Sequence, residues 1–399
     1  CSIIIEYLLC NGGDLAGAEY YLKKSIHVKP SVEGFVNLGN IMVDRSKPDK
    51  AVSYFNNALQ LDQYVSEAYC GIGNALYLKG RFQKALRYFH KALSLEGKKR
   101  EPAIGISKVY RRIIPDWHFA MMNDITRNTA YEKAIRENTE SSTVTLDIGS
   151  GGGLLSLMAA RAGAQKVYTC EQNEVLANKA AEVIENNGFS EKIVLLKKRS
   201  QKIKLKKDMP RKADLLVSEI FDAGLIGENA LYVLKHAKEN LLKRGGKIIP
   251  REAIVFGVLA ECQDLVDKYR MDHVSGFDFN SFNDFSLHGY AQERVCDYNI
   301  RYLSRIFEVF HFDFHNIKLE SLVKKIPVRM LRKGRADAVI FWFRLFLTEK
   351  IWLDTGLQST THWKQAVQFI TPERDVRKDQ VILVSACNNN ASQISFSID

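Results

Sequence analysis

No stretch of the chain approaches the ~18 uninterrupted apolar residues that a membrane-crossing helix needs. The nearest, Ala338 to Leu347, is short and carries Arg344. A secretory signal pattern is also missing, and the chain opens at Cys1 rather than Met. It is read as a piece of a longer protein, so N-terminal targeting is left open. Cysteine is sparse: the 7 residues (Cys1, Cys10, Cys70, Cys170, Cys262, Cys296, Cys387) are scattered and odd in number, with no CxxC and no Cys/His cluster. That argues against a disulfide framework and against a structural metal, and for a reducing compartment. A cytoplasmic and nuclear location is expected. No glycine loop ends in Gly-Lys-Ser/Thr, which excludes a Walker-type phosphate loop.

What is present is ordinary globular material. The 399 residues are 46% apolar and 26% charged, enough for two or three domains with real cores. The net charge of +11 fits either an acidic or nucleic-acid partner or a plain solvated surface. The Lys/Arg-rich stretches at 197–212 and 324–335 lack interleaved aromatics. They are read as solvated charge, and direct nucleic-acid binding is not expected.

The first hundred residues repeat. Gly39-Asn40 recurs as Gly73-Asn74, Ala51 as Ala85, Phe55 as Phe89, Ala58 as Ala92, Leu59 as Leu93 and Leu61 as Leu95, each 34 residues on. Ala18, Tyr21, Ile26 and Val28 match Ala51, Tyr54, Leu59 and Leu61 at an offset of 33. The pattern resembles the tetratricopeptide repeat: two full helix–turn–helix units and the second helix of a third, stacked to share a core. Such a stack offers a concave surface for a protein partner, or serves as a spacer.

From Thr143 the pattern changes. Val144–Ile148 reads as a short buried strand, Gly149-Ser150-Gly151-Gly152-Gly153 as a turn, and the residues from Leu154 as a helix. Strand, glycine turn and helix form a nucleotide-cofactor architecture, in which glycines let a ligand approach the backbone. A second strand, Lys166–Cys170, ends in Glu171, placed to accept both ribose hydroxyls. NAD and S-adenosylmethionine sites share that feature. Asp147, just before the turn, would repel a pyrophosphate but suits a cofactor with a cationic amino-acid tail, which favours S-adenosyl-L-methionine. A tight turn without ligand is the plainer alternative. A further strand, Ala213–Ser218, ends at Glu219, and Glu228 follows nine residues later in a glycine-bearing loop. Folded back, that loop would bring two carboxylates to one pocket, and such a pair holds a cation or shares a proton. A guanidinium, planar and rich in donors, fits two carboxylates.

These residues carry a resemblance. The loop Glu219–Glu228 is similar to the double-glutamate hairpin of the protein arginine N-methyltransferase family. The segment Trp117-His118-Phe119 through Met121, Asp124, Arg127 and Tyr131 resembles that family's N-terminal helical segment, and Thr361-His362-Trp363 its signature loop. Tetratricopeptide repeats ahead of such a module resemble one subgroup, protein arginine N-methyltransferase 9, whose members carry a second, degenerate methyltransferase module.

The resemblance implies an α/β fold: helical repeats over 1–99, a Rossmann-like S-adenosylmethionine-dependent domain with its helical segment over 100–250, and a substrate-binding antiparallel β-barrel with a dimerisation arm over 251–399. The arm would run from about Asp284 to Arg301. The β-former-rich stretches Ala253–Ala260, Ala338–Leu347, Val367–Ile370 and Val381–Val384 suit the barrel. The resemblance also implies roles. Arg127 would bind the cofactor carboxylate, Asp147 its ammonium, Glu171 its ribose and Gln201 its adenine. Gly149, Gly151 and Gly153 would pass beneath the methionine portion, with His118 and Met121 closing over it. Glu219 and Glu228 would grip the substrate arginine, Asp124 and His362 would relay the released proton, and Trp363 and Asp222 would contact substrate. Ala230 stands where dimethylating relatives of another type have Met, altering the space around the acceptor nitrogen. The expected product is symmetric dimethylarginine alongside monomethylarginine. Arginine-bearing proteins such as splicing factors would be substrates, and a homodimer or pseudo-dimer would form. The competing readings are a catalytically weak repeat scaffold and a methyltransferase for another substrate class.

Overall fold

The computed structural model describes residues 14–95, 100–115, 117–285, 289–389 and 392–398, and the chain divides into two units, 1–116 and 117–399. Cys1 and Cys10 lie outside the described residues.

The first unit consists, among its described residues, of six helices: Leu15–Val28, Val32–Asp44, Pro48–Leu61, Ser66–Leu78, Phe82–Leu95 and Arg100–Ile113. Asp14 caps the first by accepting from Gly17 N at 2.8 Å, and Ser31 caps the second through Gly34 N at 3.1 Å, satisfying amides that a helix start leaves open. The repeat period locks the stack. Phe55 is fully buried between Gly39 and Gly71, and Phe89 is buried between Gly73 and Gly105. A Cβ on Gly39 would lie 2.5 Å from the Phe55 ring and one on Gly73 2.6 Å from the Phe89 ring, closer than any side chain tolerates. Burial of a large aromatic in such a slot contributes roughly 2–3 kcal/mol from area alone. Arg100–Ile113, assigned from sequence to the catalytic domain, belongs to this stack: its Gly105 takes the other face of Phe89.

The second unit begins with the helices Trp117–Met122 and Ile125–Glu137. Five parallel strands follow: β1 (Val144–Ile148), β2 (Lys166–Cys170), β3 (Ile193–Leu196), β4 (Ala213–Ser218) and β5 (Leu242–Ile249), in the order β3-β2-β1-β4-β5. Helices Leu154–Arg161, Glu174–Asn186 and Ala230–Asn240 connect them. Every residue of β1 is buried, as expected for a strand covered on both faces of a parallel sheet. Ile148 pairs with Cys170 on one side and Ser218 on the other. The residues that follow the three strands, Gly149, Glu171 and Glu219, therefore leave the sheet at one level, at the carboxyl edge where open α/β sheets bind ligands.

From residue 252 the strands are antiparallel. Glu252–Glu261, Gly334–Phe346 and Gln365–Val376 form the middle of a seven-stranded sheet, and Leu322–Arg329, Val381–Asn389 and Gln393–Ile398 form a three-stranded one. The two face across a shared apolar core: the Phe341 and Phe396 rings meet at 5.0 Å, tilted by 58°, and Gln368 exchanges two 2.8 Å hydrogen bonds with the Phe396 backbone. The result is a barrel-like half-closed arrangement. Of the expected arm, Ala291–Glu293 joins the large sheet as an edge strand, and residues 286–288 lie outside the described residues.

Candidate active site

A cavity of about 850 Å³ opens at the carboxyl edge of the parallel sheet. Its wall includes His118, Met121, Gly149, Gly151, Glu171, Gln201, Glu219, Asp222, Glu228, His362 and Trp363. Eleven of the fifteen sequence-assigned residues thus share one space. The other four, Asp124, Arg127, Asp147 and Gly153, are buried behind it.

The glycine turn is shaped by backbone needs. Gly149, Gly151 and Gly153 have φ of 81°, 52° and 88°, a region that side chains resist. Gly149 N and Ser150 N both donate to Cys170 O at 3.1 Å, tying the turn to β2. Glu171 bridges the same two elements, accepting from Asn173 N at 2.7 Å and Gly151 N at 3.2 Å. Behind the turn, Asp147 is 1% exposed and accepts from Ser156 Oγ and Thr169 Oγ1 at 2.5 and 3.2 Å. Burial pushes its carboxyl up to about 6, against the pull of those two hydroxyls and Arg127. Among the described residues its Oδ1 has no hydrogen-bond partner, and neither does the buried Nε of Arg127.

Arg127 pairs with Glu219. Its Nη2 lies 2.7 Å from Glu219 Oε2, with both side chains 4% exposed, and its Nη1 donates to Asn128. One glutamate of the expected clamp is therefore already engaged by a cation of this chain. Glu228, accessible at the cavity wall, has no ion-pair partner among the described residues. The surrounding protein and the charges of Glu219 and Asp222 push its carboxyl up to about 7.

The loop between the glutamates does fold back, but by other means than its glycines. Leu225 and Asn229 take the left-handed conformation, with φ of 73° and 61°, a strain of order 1–3 kcal/mol each that the surroundings must hold. Gly224 and Gly227 instead admit close neighbours: Tyr290 lies against both and Asp222 against Gly227. Asp222 is occupied rather than free, with Oδ1 accepting from Gly227 N at 2.9 Å and Oδ2 from the Tyr290 hydroxyl. Trp363 tethers the same loop through Nε1–H to Phe221 O at 2.8 Å. Ala230 is fully buried at the start of its helix; the wall position is Asn229, so the expected effect of Ala230 on the acceptor space is not direct.

Asp124 caps helix Ile125–Glu137 by accepting from Arg127 N at 2.8 Å, while its Oδ2 accepts from His362 N at 2.7 Å and stands 3.0 Å from His362 Nδ1. Burial raises the Asp124 carboxyl, but the His362 side chain and the two amides outweigh it and hold it below the usual range. An ionised carboxylate only accepts, so Nδ1 of His362 carries a hydrogen toward it, and in the neutral ring Nε2 is then the acceptor. Burial lowers the His118 imidazole, Glu219 opposing and Arg127 reinforcing. Sequence reasoning did not single out Tyr232, Gln292 and Lys364 in the wall, or Tyr290 beside it, although Lys364 adjoins the Thr361-His362-Trp363 loop and Tyr290 and Gln292 fall within the expected arm.

Known proteins resemble this chain in sequence and in fold. Residues 251–398 match the arginine methyltransferase oligomerization subdomain, residues 129–283 the ribosomal protein L11 methyltransferase (PrmA) family and residues 66–98 the tetratricopeptide repeat. An arginine N(omega)-methyltransferase of Streptomyces achromogenes subsp. streptozoticus is 36% identical over 264 residues, 66% of this chain and 73% of that one. Protein arginine N-methyltransferase 9 of Homo sapiens is 33% identical over 294 residues, 65% of this chain. The chain belongs to the protein arginine methyltransferase family. It spans about 35% of the human relative's length. Among solved structures, the Trypanosoma brucei PRMT1 enzyme–prozyme heterotetrameric complex with AdoHcy superposes with a TM-score of 0.63 at 24% identity, covering 72% of this chain and 94% of that one. At that identity the likeness establishes the shared methyltransferase fold.

Proposed function

We propose that this chain transfers a methyl group from S-adenosyl-L-methionine to a guanidino nitrogen of arginine in protein substrates. The observation that carries the reading is the common level of Gly149, Glu171 and Glu219 at the sheet edge, with Glu228 and His362 in the same wall. The residues fit the donor. A glycine turn with positive φ supports a cradle, Glu171 offers a carboxylate for ribose hydroxyls, and two orphaned buried atoms of opposite character, Arg127 Nε and Asp147 Oδ1, suit the two ends of a zwitterion. When bound, the sulfonium supplies an electrophilic methyl group.

The chain's own groups do the rest. An arginine side chain arrives charged and delocalised. Glu219 offers its remaining oxygen while Arg127 fixes the other, and Glu228 supplies the second contact. Arrival of a cation favours the ionised form of Glu228, so a proton leaves as substrate binds. Two carboxylates bonded to one guanidinium hold the attacking nitrogen in place, which is catalysis by orientation, and draw positive charge away from it. His362 Nε2, backed by ionised Asp124, accepts the proton released after transfer. The proposed products are monomethyl- and symmetric dimethylarginine, as the subgroup that the repeats resemble would imply. We assign the helical stack to a protein partner, the 251–398 segment to a homodimer or pseudo-dimer contact, and the activity to splicing-type proteins of the cytoplasm and nucleus.

The test is incubation with methyl-labelled S-adenosyl-L-methionine and either an arginine-bearing splicing-factor peptide or free L-arginine, followed by mass analysis. Label on peptide arginine is expected. Label only on free arginine, or none with the donor bound, overturns the reading.

A further inference from the structure

The loop that carries both glutamates is fastened from outside at a place no motif marks. Tyr290, just before the edge strand Ala291–Glu293, donates its hydroxyl to Asp222 Oδ2. The other oxygen of Asp222 accepts from Gly227 N at 2.9 Å, one residue before Glu228. The tyrosine ring is itself fixed, edge-on to the fully buried Phe341 at 5.2 Å and 86°. Gly224 and Gly227 are glycine for this contact, because a Cβ at either would collide with the Tyr290 hydroxyl end. The arrangement forms a closed chain from the antiparallel sheet through Tyr290 and Asp222 to the Gly227 amide. It spans the turn in which Leu225 is held left-handed and ends two residues before Asn229, the loop's other left-handed position.

We propose that Tyr290 is a positioning residue for the acceptor site: through Asp222 its hydroxyl closes the turn that holds Glu228 in the cavity wall. This deepens the arginine-methylation reading and rests on it for its kinetic consequences. A glutamate one residue beyond a strained turn is held only as well as the turn is. A loosened turn lets Glu228 swing, and displacement on the scale of 1 Å at a reacting group costs roughly 100-fold in rate.

The same contact has an electrostatic side. Glu219 and Asp222 act on Glu228 directly, Tyr290 feels its charge, and Tyr232, His362 and Lys364 share its cavity. A hydroxyl donating to Asp222 spreads that carboxylate's charge. Without it, Asp222 presses harder on Glu228, and Glu228 holds its proton to higher pH. Removing the Asp222 charge does the opposite.

The decisive experiment compares Tyr290→Phe, Tyr290→Ala and Asp222→Asn in the full chain. It uses a carbon-13 NMR titration of the Glu228 carboxyl without substrate, and steady-state kinetics with an arginine-bearing splicing-factor peptide. Tyr290→Phe keeps the ring against Phe341 and loses only the hydroxyl. It is expected to lower kcat by roughly 10- to 100-fold, to leave KM for S-adenosyl-L-methionine unchanged, and to move the Glu228 titration to higher pH. Asp222→Asn is expected to move that titration to lower pH. Wild-type kcat and an unmoved titration in Tyr290→Phe, with loss only in Tyr290→Ala, would reduce the residue to packing and overturn the proposal. So would a shift of the same sign in both polar variants. If wild-type enzyme methylates no peptide, the functional reading fails, while the titration alone still decides whether Tyr290 sets the state of Glu228.

Discussion

Glu228 gives the sharpest test of how the acceptor site works. Its carboxyl stands at about 7, raised first by the surrounding protein and then by Glu219 and Asp222, whereas the substrate guanidinium stays charged across the whole working range. If binding and transfer need Glu228 ionised, kcat/KM reports its value in the free enzyme. The sign is fixed: a carboxylate with a raised value is lost on the acid side, so activity rises with pH up to about 7 and then levels. Below that point each pH unit removes about tenfold of the ionised form; kcat/KM at pH 6 should be about a tenth of its plateau, and at pH 5 about a hundredth. Peptide binding below pH 7 should also release close to one proton, visible by calorimetry in buffers of different ionisation heat. The control is Glu228→Gln, expected to lose at least ~10²-fold in kcat and to flatten the acid limb. A flat profile between pH 5.5 and 7.5, or an unchanged limb in Glu228→Gln, refutes the assignment.

Three further outcomes follow from contacts described above. Glu219→Gln should lower stability by about 3 kcal/mol in urea unfolding, because it leaves the buried Arg127 guanidinium without its counter-charge, and should separately abolish turnover; an unchanged midpoint would mean that the pair is not formed. Asp124→Asn loses the acceptor that fixes the His362 tautomer and should reduce kcat roughly 10- to 100-fold with peptide KM little changed; equal kcat would remove the His362–Asp124 pair from proton transfer. Phe55→Ala should cost about 3–5 kcal/mol in the helical unit, followed by ellipticity at 222 nm, since no side chain on Gly39 or Gly71 can fill the space; a loss below about 1 kcal/mol would mean that the stack is not locked there.

Much of the architecture could be read from spacing. The 34-residue offsets located the stacked helices, because close packing there demands glycine opposite phenylalanine. β1, β2 and β4 were legible as apolar runs ending at a glycine turn or an acid. The glycine turn, Glu171 and Glu219 lie far apart in the chain and the parallel register brings them to one edge, while His362 and Trp363 reach it from the antiparallel region through Asp124 and Phe221. What stayed hidden was relational. Arg127 and Glu219 are 92 residues apart and each looked committed to a different ligand, one to cofactor and one to substrate. Arg100–Ile113 begins with charge and a proline at 102, so Gly105 was not seen as the partner of Phe89. The glycines of the glutamate loop suggested free backbone rotation, yet the left-handed residues are Leu225 and Asn229. A loop's conformation is set by what presses on it, and Tyr290 presses from 68 residues away.

Two aromatic rings of the helical unit are each shared by two neighbours, Phe55 by Gly39 and Gly71, Phe89 by Gly73 and Gly105. A single residue inserted within one of these helices would turn everything beyond it by about 100° and bring a bulky group under the ring. Slippage inside a helix is therefore forbidden. This unit can grow or shrink only at its turns or by whole periods, so duplication rather than gradual lengthening is the route by which its reach can change.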